Sequence, residues 1–492
     1  MDLSRYRLPY FFCALCIAVV CSSQLIAEQT SFDELDAMLE AQFEQTDEML
    51  EADFQALDAA LNAAQKRLSK EIETVWGKDD VVLPSKGAWV DYSEDRKLRR
   101  KFDFENGVVQ IERLIEDDSE LTGVSGEIEA AILSAMQDTG TDLERKDAAW
   151  QYAKKDLQSQ SLKMENSQTS AGRAVLGELV DIPAPLELSQ ALSYVREQLE
   201  LAPRVASEAN SAQISAAHLG KSEVNSPETS TAAADASRQQ EGDQVTLPSV
   251  IEPVLSYVEP PPAEALDREN QSEITENKPS QATVTASIVD SGDDRKKIRI
   301  SIPLRQNYLA TAAGVYRSAV MAQAERHGLL PSLLYAIMET ESHFNPRARS
   351  HVPAFGLMQL VPASGGVDAY NYLYGEKLVL GPEYFYDPGQ NVELGAAYLN
   401  LLGSRYLRSI EDDVSRSYCT IAAYNTGPGN VARAFVNSKR IAVAAQAINA
   451  MTPDAVYQQL VENLPYEETR HYLQKVTSAQ KKYRDMDQLI YM

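Results

Sequence analysis

One segment pairs residue types and spacing suited to acid–base chemistry: Leu329 to Pro346, LLPSLLYAIMETESHFNP. Pro331 suits the first turn of a helix, and Leu334, Ile337 and Met338 form an apolar stripe at i, i+3 and i+4. The i+7 position of that stripe is Glu341, so a carboxylate falls where the pattern wants a core residue. Pro346 forces the helix to stop before it, which puts Glu341 near the negative end of the helix dipole. Burial and dipole both favour the neutral acid, the form a general acid needs near neutral pH. Glu339 lies about 200° round the helix and is not favoured in the same way. The plain alternative is a solvated side chain near a helix end.

Other elements must position such a group. Phe355-Gly356-Leu357-Met358-Gln359 is read as the opening of a helix. Asp387 to Leu402 reads as a capped helix with Asn391 and Tyr398, and Ala422 to Asn425 as a helix running into Thr426-Gly427-Pro428-Gly429, a sharp stop and a loop. Four blocks in order, Glu341-Ser342-x-Phe344-Asn345-Pro346, Gly356-Leu357-Met358-Gln359, Asn391-x-x-x-Gly395-x-x-Tyr398-Leu399 and Ala423-Tyr424-Asn425-x-Gly427-x-Gly429, resemble the soluble lytic transglycosylase domain. The resemblance implies an all-α lysozyme-like domain that cleaves the β-1,4 bond between N-acetylmuramic acid and N-acetylglucosamine in peptidoglycan without water, leaving a 1,6-anhydro-muramyl end. It also implies Glu341 as acid and then base, with Tyr424 and Asn425 lining the site and supporting oxocarbenium charge. Tyr472 would act around the same sugar, while Ser342, Met358 and Gln359 would shape the glycan groove and hold Glu341. Intramolecular attack by the C6 hydroxyl lets one carboxyl serve both steps, where hydrolysis usually needs two. For the tyrosines and Met358, ordinary core packing is the competing reading. Two other functions stay open: a lysozyme-type hydrolase, which would leave a reducing sugar, and a peptidoglycan-binding protein without turnover.

The likeness extends to Trp76-Gly77, the strand at Lys297 to Leu304, and Met451-Thr452-Pro453, Val456-Tyr457 and Arg470 to Val476, which look like a membrane-bound lipoprotein of the same family. Outer-membrane association is implied by that likeness. A lipoprotein signal, however, wants a small residue before the modified cysteine, and Val20 precedes Cys21 while Leu15 precedes Cys16.

At 492 residues the chain predicts two or three domains. Arg5 and Arg7 precede an apolar run from Leu8 to Val20, too short to span a bilayer comfortably, so residues 1–27 read as a signal peptide cleaved after Ala27, with an uncleaved anchor as the alternative. A periplasmic protein follows. Cleavage would leave Cys419 alone, with no internal disulfide and no cysteine zinc site. The five histidines show no metal-ligand spacing and no glycine-rich phosphate loop is present, so no cofactor or metal is expected.

The net charge of −26 is uneven: 21 Lys and Arg face 17 Asp and Glu from Arg295 onward, leaving 25 against 55 before it. That balance excludes nucleic acid as the main partner and suits an anionic polymer for the back half. Residues 35–67 repeat in elevens, with Asp36, Asp47 and Asp58 coinciding, which predicts a long amphipathic helix over 28–74 in need of a partner, its own domain or a second copy. Residues 75–200 read as a small α+β domain. Its expected elements are a hairpin (Trp89–Tyr92, Lys97–Phe104, Val108–Leu114), helices at Gly126–Met136 and Leu186–Leu199, a strand at Arg173–Val180, and a completing strand near 296–304. Residues 201–293, with Tyr257 their only aromatic, read as a disordered acidic insertion, and 305–492 as the catalytic domain.

Overall fold

The eleven-residue repeat winds into α1, Phe32–Trp76, which runs for 45 residues in the computed structural model. Residues 32–115, 121–158, 174–177, 179, 197, 284–290, 295–351 and 353–491 are described. The expected leader at 1–27, all but residue 197 of the expected helix Leu186–Leu199, and the expected insertion apart from 284–290 lie outside them. The chain divides into two compact units, 1–180 with 289–492, and 181–288. Strand β4, Thr285–Asp290, crosses the boundary, and the first unit holds the remaining architecture.

The apolar stripe of α1 finds cover within the chain. Leu57, Ala60, Leu61 and Ala64 join Trp150, Ala153 and Leu157 of α4 (Ala148–Gln158) and the buried aromatics Phe355, Tyr370 and Phe385 in one hydrophobic cluster. Fully burying a large apolar side chain contributes about 1.5–3 kcal/mol, so this seam ties the front of the chain firmly to its back.

Strands β1 (Ala88–Tyr92), β2 (Leu98–Asp103) and β3 (Val108–Ile115) form an antiparallel meander. Strand β5, Lys296–Pro303, then lies antiparallel to β3, with Val108 opposite Pro303 and Ile115 opposite Lys296. Period-two alternation gives the sheet two faces. One face buries Val109, Ile111, Ile298, Ile300 and Ile302, and helix α2 (Leu121–Gln137) packs on β3. The other face carries a charged row: Arg99, Glu112 and Arg299 stand opposite one another across β2, β3 and β5. The short α3 (Gly140–Lys146) is closed by a Thr139–Asp142 capping box. No strand forms in the described part of Arg173–Val180: Ala174 makes an isolated bridge to Thr139, and the chain then bends and turns through Gly177.

The C-terminal part is helical: α5 (Tyr308–Val315), α6 (Arg317–His327), α7 (Pro331–Ser342), α8 (Val367–Tyr374), α9 (Pro382–Phe385), α10 (Pro388–Leu401), α11 (Asp413–Thr426), α12 (Pro428–Arg433), α13 (Ile441–Ile448), α14 (Pro453–Asn463) and α15 (Glu467–Lys482). The fold is therefore mostly helical, with a small sheet on the N-terminal side. Helix α7 runs through the middle, buried at every residue but Thr340, and packs on α6 and α15. Two expected boundaries differ. Gly356-Leu357-Met358-Gln359 is a tight turn, not a helix start, because Gly356 (φ 76°) and Gln359 (φ 49°) take left-handed backbone that an α-helix excludes. After Gly427, where α11 stops, Pro428 opens α12 in place of the expected loop, since proline fits a first helical position.

Candidate active site

Helix α7 ends at Ser342, with His343 (φ 51°) and Phe344 (φ 61°) turning the chain away through left-handed backbone. Leu334, Ile337 and Met338 are wholly buried, and Glu341 completes their stripe at 6% exposure. Burial pushes the Glu341 carboxyl up to about 7. The ammonium of Lys86 and the Tyr472 hydroxyl oppose that shift by favouring the charged form, while nearby Glu468 adds to it. Glu339, two residues earlier, is engaged elsewhere: its oxygens accept from Lys482 Nζ and the Tyr483 hydroxyl, each at 2.6 Å.

Glu341 opens onto a cleft of about 550 Å³ whose wall includes Lys86, Gln359, Tyr398, Tyr424, Asn425 and Glu468. The Tyr424 hydroxyl donates to the Met358 carbonyl at 2.8 Å, and its ring lies 5.5 Å from that of Tyr398. Asn425 Oδ1 accepts from Thr469 Oγ1 at 2.7 Å, fixing the end of α11 to α15. The Tyr472 hydroxyl is buried beside Glu341 and has no other partner among the described residues. Burial, and then the Glu341 charge, push Tyr472 well above the usual phenol range, so it stays a proton donor.

The expected site residues divide into two groups. Glu341, Gln359, Tyr424 and Asn425 line the cleft, and Tyr472 faces Glu341. Ser342 and Met358 are wholly buried and do not reach the cleft. They act as supports instead: Ser342 Oγ lies 2.9 Å from the Met338 carbonyl and 2.8 Å from that of Leu357, joining α7 to the turn. Asn391 holds the same turn from α10, with Met358 N–H donating to its Oδ1 at 2.8 Å and its Nδ2 donating to the Phe355 carbonyl at 2.9 Å. One helical turn on, Gly395 leaves the space Met358 fills, since a Cβ there would sit 2.3 Å from its Sδ. At Gly356 a Cβ would meet the Phe385 carbonyl at 2.2 Å, so only glycine fits.

Lys86, Tyr398, Glu468 and Thr469 are additional wall residues. Lys86 comes from the stretch between α1 and β1 and lies 3.7 Å from Glu341 Oε2. Its backbone is pinned, because Asn345 Nδ2 donates to the Lys86 carbonyl at 3.2 Å and Arg349 N–H donates to the Ser85 carbonyl at 3.4 Å. No spacing signal marks a lysine so far upstream. Tyr398 stands in the third motif block, where a face assignment would have found it, whereas Glu468 lies two residues before the Arg470–Val476 segment and carries no motif signal.

Residues 318–446 match the family model described as transglycosylase SLT domain, and residues 53–163 match that of the membrane-bound lytic murein transglycosylase C N-terminal domain. Relatives named membrane-bound lytic murein transglycosylase C from Klebsiella pneumoniae and Pectobacterium atrosepticum are 43% and 44% identical over 185 residues, 38% of this chain. The chain spans about half the length of the curated relatives it matches, 51% in each case. An inactive mutant of lytic transglycosylase Slt from Pseudomonas aeruginosa aligns over 35% of this chain and 24% of its own at 30% identity, with a TM-score of 0.26. The two domain matches, together with the names of these relatives, support the family resemblance read from the four motif blocks: a segment similar to the N-terminal domain of membrane-bound lytic murein transglycosylase C precedes one similar to the transglycosylase SLT domain.

Proposed function

We propose that the chain is a peptidoglycan lytic transglycosylase. The observation that carries the reading is a single buried carboxyl, Glu341, whose proton is retained to about neutral pH on the wall of a cleft able to take a glycan strand. Glu341 gives its proton to the oxygen between N-acetylmuramic acid and N-acetylglucosamine, the C1–O bond breaks, and positive charge develops on the muramyl ring. The carboxylate then takes the proton of the C6 hydroxyl as that oxygen bonds to C1, which closes the 1,6-anhydro ring and consumes no water. Tyr424 and Asn425 line the muramyl position, Gln359 shapes the groove, Tyr472 steadies Glu341, and Ser342 and Met358 hold it from behind. The α-helical region would then be a lysozyme-like domain over 305–492, working in the periplasm with peptidoglycan as substrate and the outer membrane as a site of association. Among the described residues no helix is long and apolar enough to cross a membrane.

One observation favours a second reading. Glu468 shares the cleft with Glu341, and two carboxylates are what a hydrolase uses. Mass spectrometry of muropeptides released from purified peptidoglycan separates the two. Products lighter by one water than hydrolysed ones, lost by roughly 10²- to 10⁴-fold in Glu341→Gln, support the transglycosylase. Reducing ends that disappear in Glu468→Gln would make the protein a hydrolase, and no release from the unsubstituted chain would leave a binding protein.

A further inference from the structure

We propose that Lys86 is a positioning residue for Glu341, an ammonium supplied from outside the helical region that holds the carboxylate formed when the glutamate gives up its proton. This rests on the transglycosylase reading above and adds a participant that the motif blocks do not contain.

Three observations carry it. Lys86 Nζ lies 3.7 Å from Glu341 Oε2, and this is the lysine's only ion pair among the described residues. No other lysine or arginine lines the cleft among them. The backbone that delivers it is fixed to the segment that follows α7 by the Asn345 and Arg349 hydrogen bonds, so the base of the side chain is held beside the cleft.

The groups facing Glu341 come from three elements: Lys86 from the stretch before β1, Tyr424 from α11, and Glu468 with Tyr472 from α15. Glu468 disfavours a second negative charge and the tyrosines are neutral, which leaves Lys86 as the one full positive charge among these groups. Protonating the glycosidic oxygen creates a carboxylate in a buried place. A cation held beside it strengthens the acid at the moment of transfer, and it also keeps the resulting base stable until the C6 proton arrives.

The test follows initial rates of muropeptide release by the full chain from about pH 5 to pH 9, comparing the unsubstituted protein with Lys86→Met, Lys86→Arg and Glu341→Gln. Lys86→Met is expected to lower kcat by about tenfold on the acidic plateau with little change in KM, and to move the alkaline decline up by about one pH unit. The two profiles therefore converge above about pH 8, since a weaker acid is also protonated over a wider range. Lys86→Arg restores the position of the decline. A Lys86→Met profile of unchanged shape, whether scaled down or not, overturns the proposal, and so does a change confined to KM, which would make the lysine a contact for the polymer's own carboxylates. Full activity of Glu341→Gln would instead overturn the transglycosylase assignment, so the two failures are told apart. Melting curves of each variant separate misfolding from these outcomes.

Discussion

Glu112 in the sheet and Glu341 at the end of α7 are sealed from water to a similar degree, 2% and 6% exposed, yet they hold their protons in opposite ways. For both, burial disfavours the charge. Around Glu112 it is outweighed: Arg99 Nε and Arg299 Nε each donate to it at 2.7 Å, Lys297 Nζ stands 3.7 Å away, and the carboxyl is held below its usual range. Around Glu341 a single half-exposed lysine at 3.7 Å falls short, and the carboxyl rises to about 7. Burial by itself therefore does not make an acid catalyst. What distinguishes the two is the number of cations that the fold aims at each.

The largest effect expected from this contrast is on stability. Glu112→Gln removes the carboxylate that Arg99, Arg299 and Lys297 share, leaving Asp80 at 3.0 Å from Arg99 and 2.6 Å from Lys297 as the remaining counter-charge; removing one partner of a buried ion cluster typically costs roughly 3–5 kcal/mol. Urea unfolding at neutral pH should show a lower midpoint, and an unchanged midpoint would mean that Asp80 alone suffices to balance the cations.

Glu341→Gln should act in the other direction. With its ordinary value of 4.5 raised to about 7, the folded protein binds more protons here than the unfolded chain between those values, so stability falls as pH rises through that window. Above about pH 7 the glutamine variant should be more stable by roughly 3 kcal/mol, and below about pH 4.5 the gain should vanish. A pH-independent difference in midpoint would break the contrast.

The smallest effect is reserved for Tyr472→Phe. Its hydroxyl has no described partner apart from Glu341, so the fold should be retained, while Glu341 loses a donor that favours its charged form. The alkaline decline of activity should move up by about half a pH unit. No movement would remove Tyr472 from the electrostatics of the site.

Much of this site was legible because its determinants are local. Glu341 interrupts its own helix's apolar stripe, and Asn391 and Gly395 sit one helical turn apart, serving one turn of chain: the first ties Phe355 and Met358, and the second makes room for Met358. The helical reading of Gly356 to Gln359 failed because that segment's backbone is imposed by contact with Phe385 and Asn391, residues some thirty positions away. Ser342 and Met358 belong to the same motif blocks as true wall residues, and periodicity does not say which side of a turn faces a cleft. Lys86, between Ser85 and Gly87, looks like any surface lysine until the Asn345 side chain reaches its carbonyl. The repeat in α1 declares an apolar stripe, but nothing in it names Trp150 as the neighbour.

The pairing of β3 with β5 also sets an order for folding. About 180 residues separate Ile115 from Lys296, so β2 can close on β3 through a four-residue turn while β5 must be brought back across a long stretch of chain. Before that pairing β3 presents Val109, Ile111 and an open row of backbone donors and acceptors, the kind of edge that recruits other chains. Glu112 waits as well, with Arg99 already opposite but Arg299 not yet in place. Until β5 arrives, that edge is where a second chain could pair in its place.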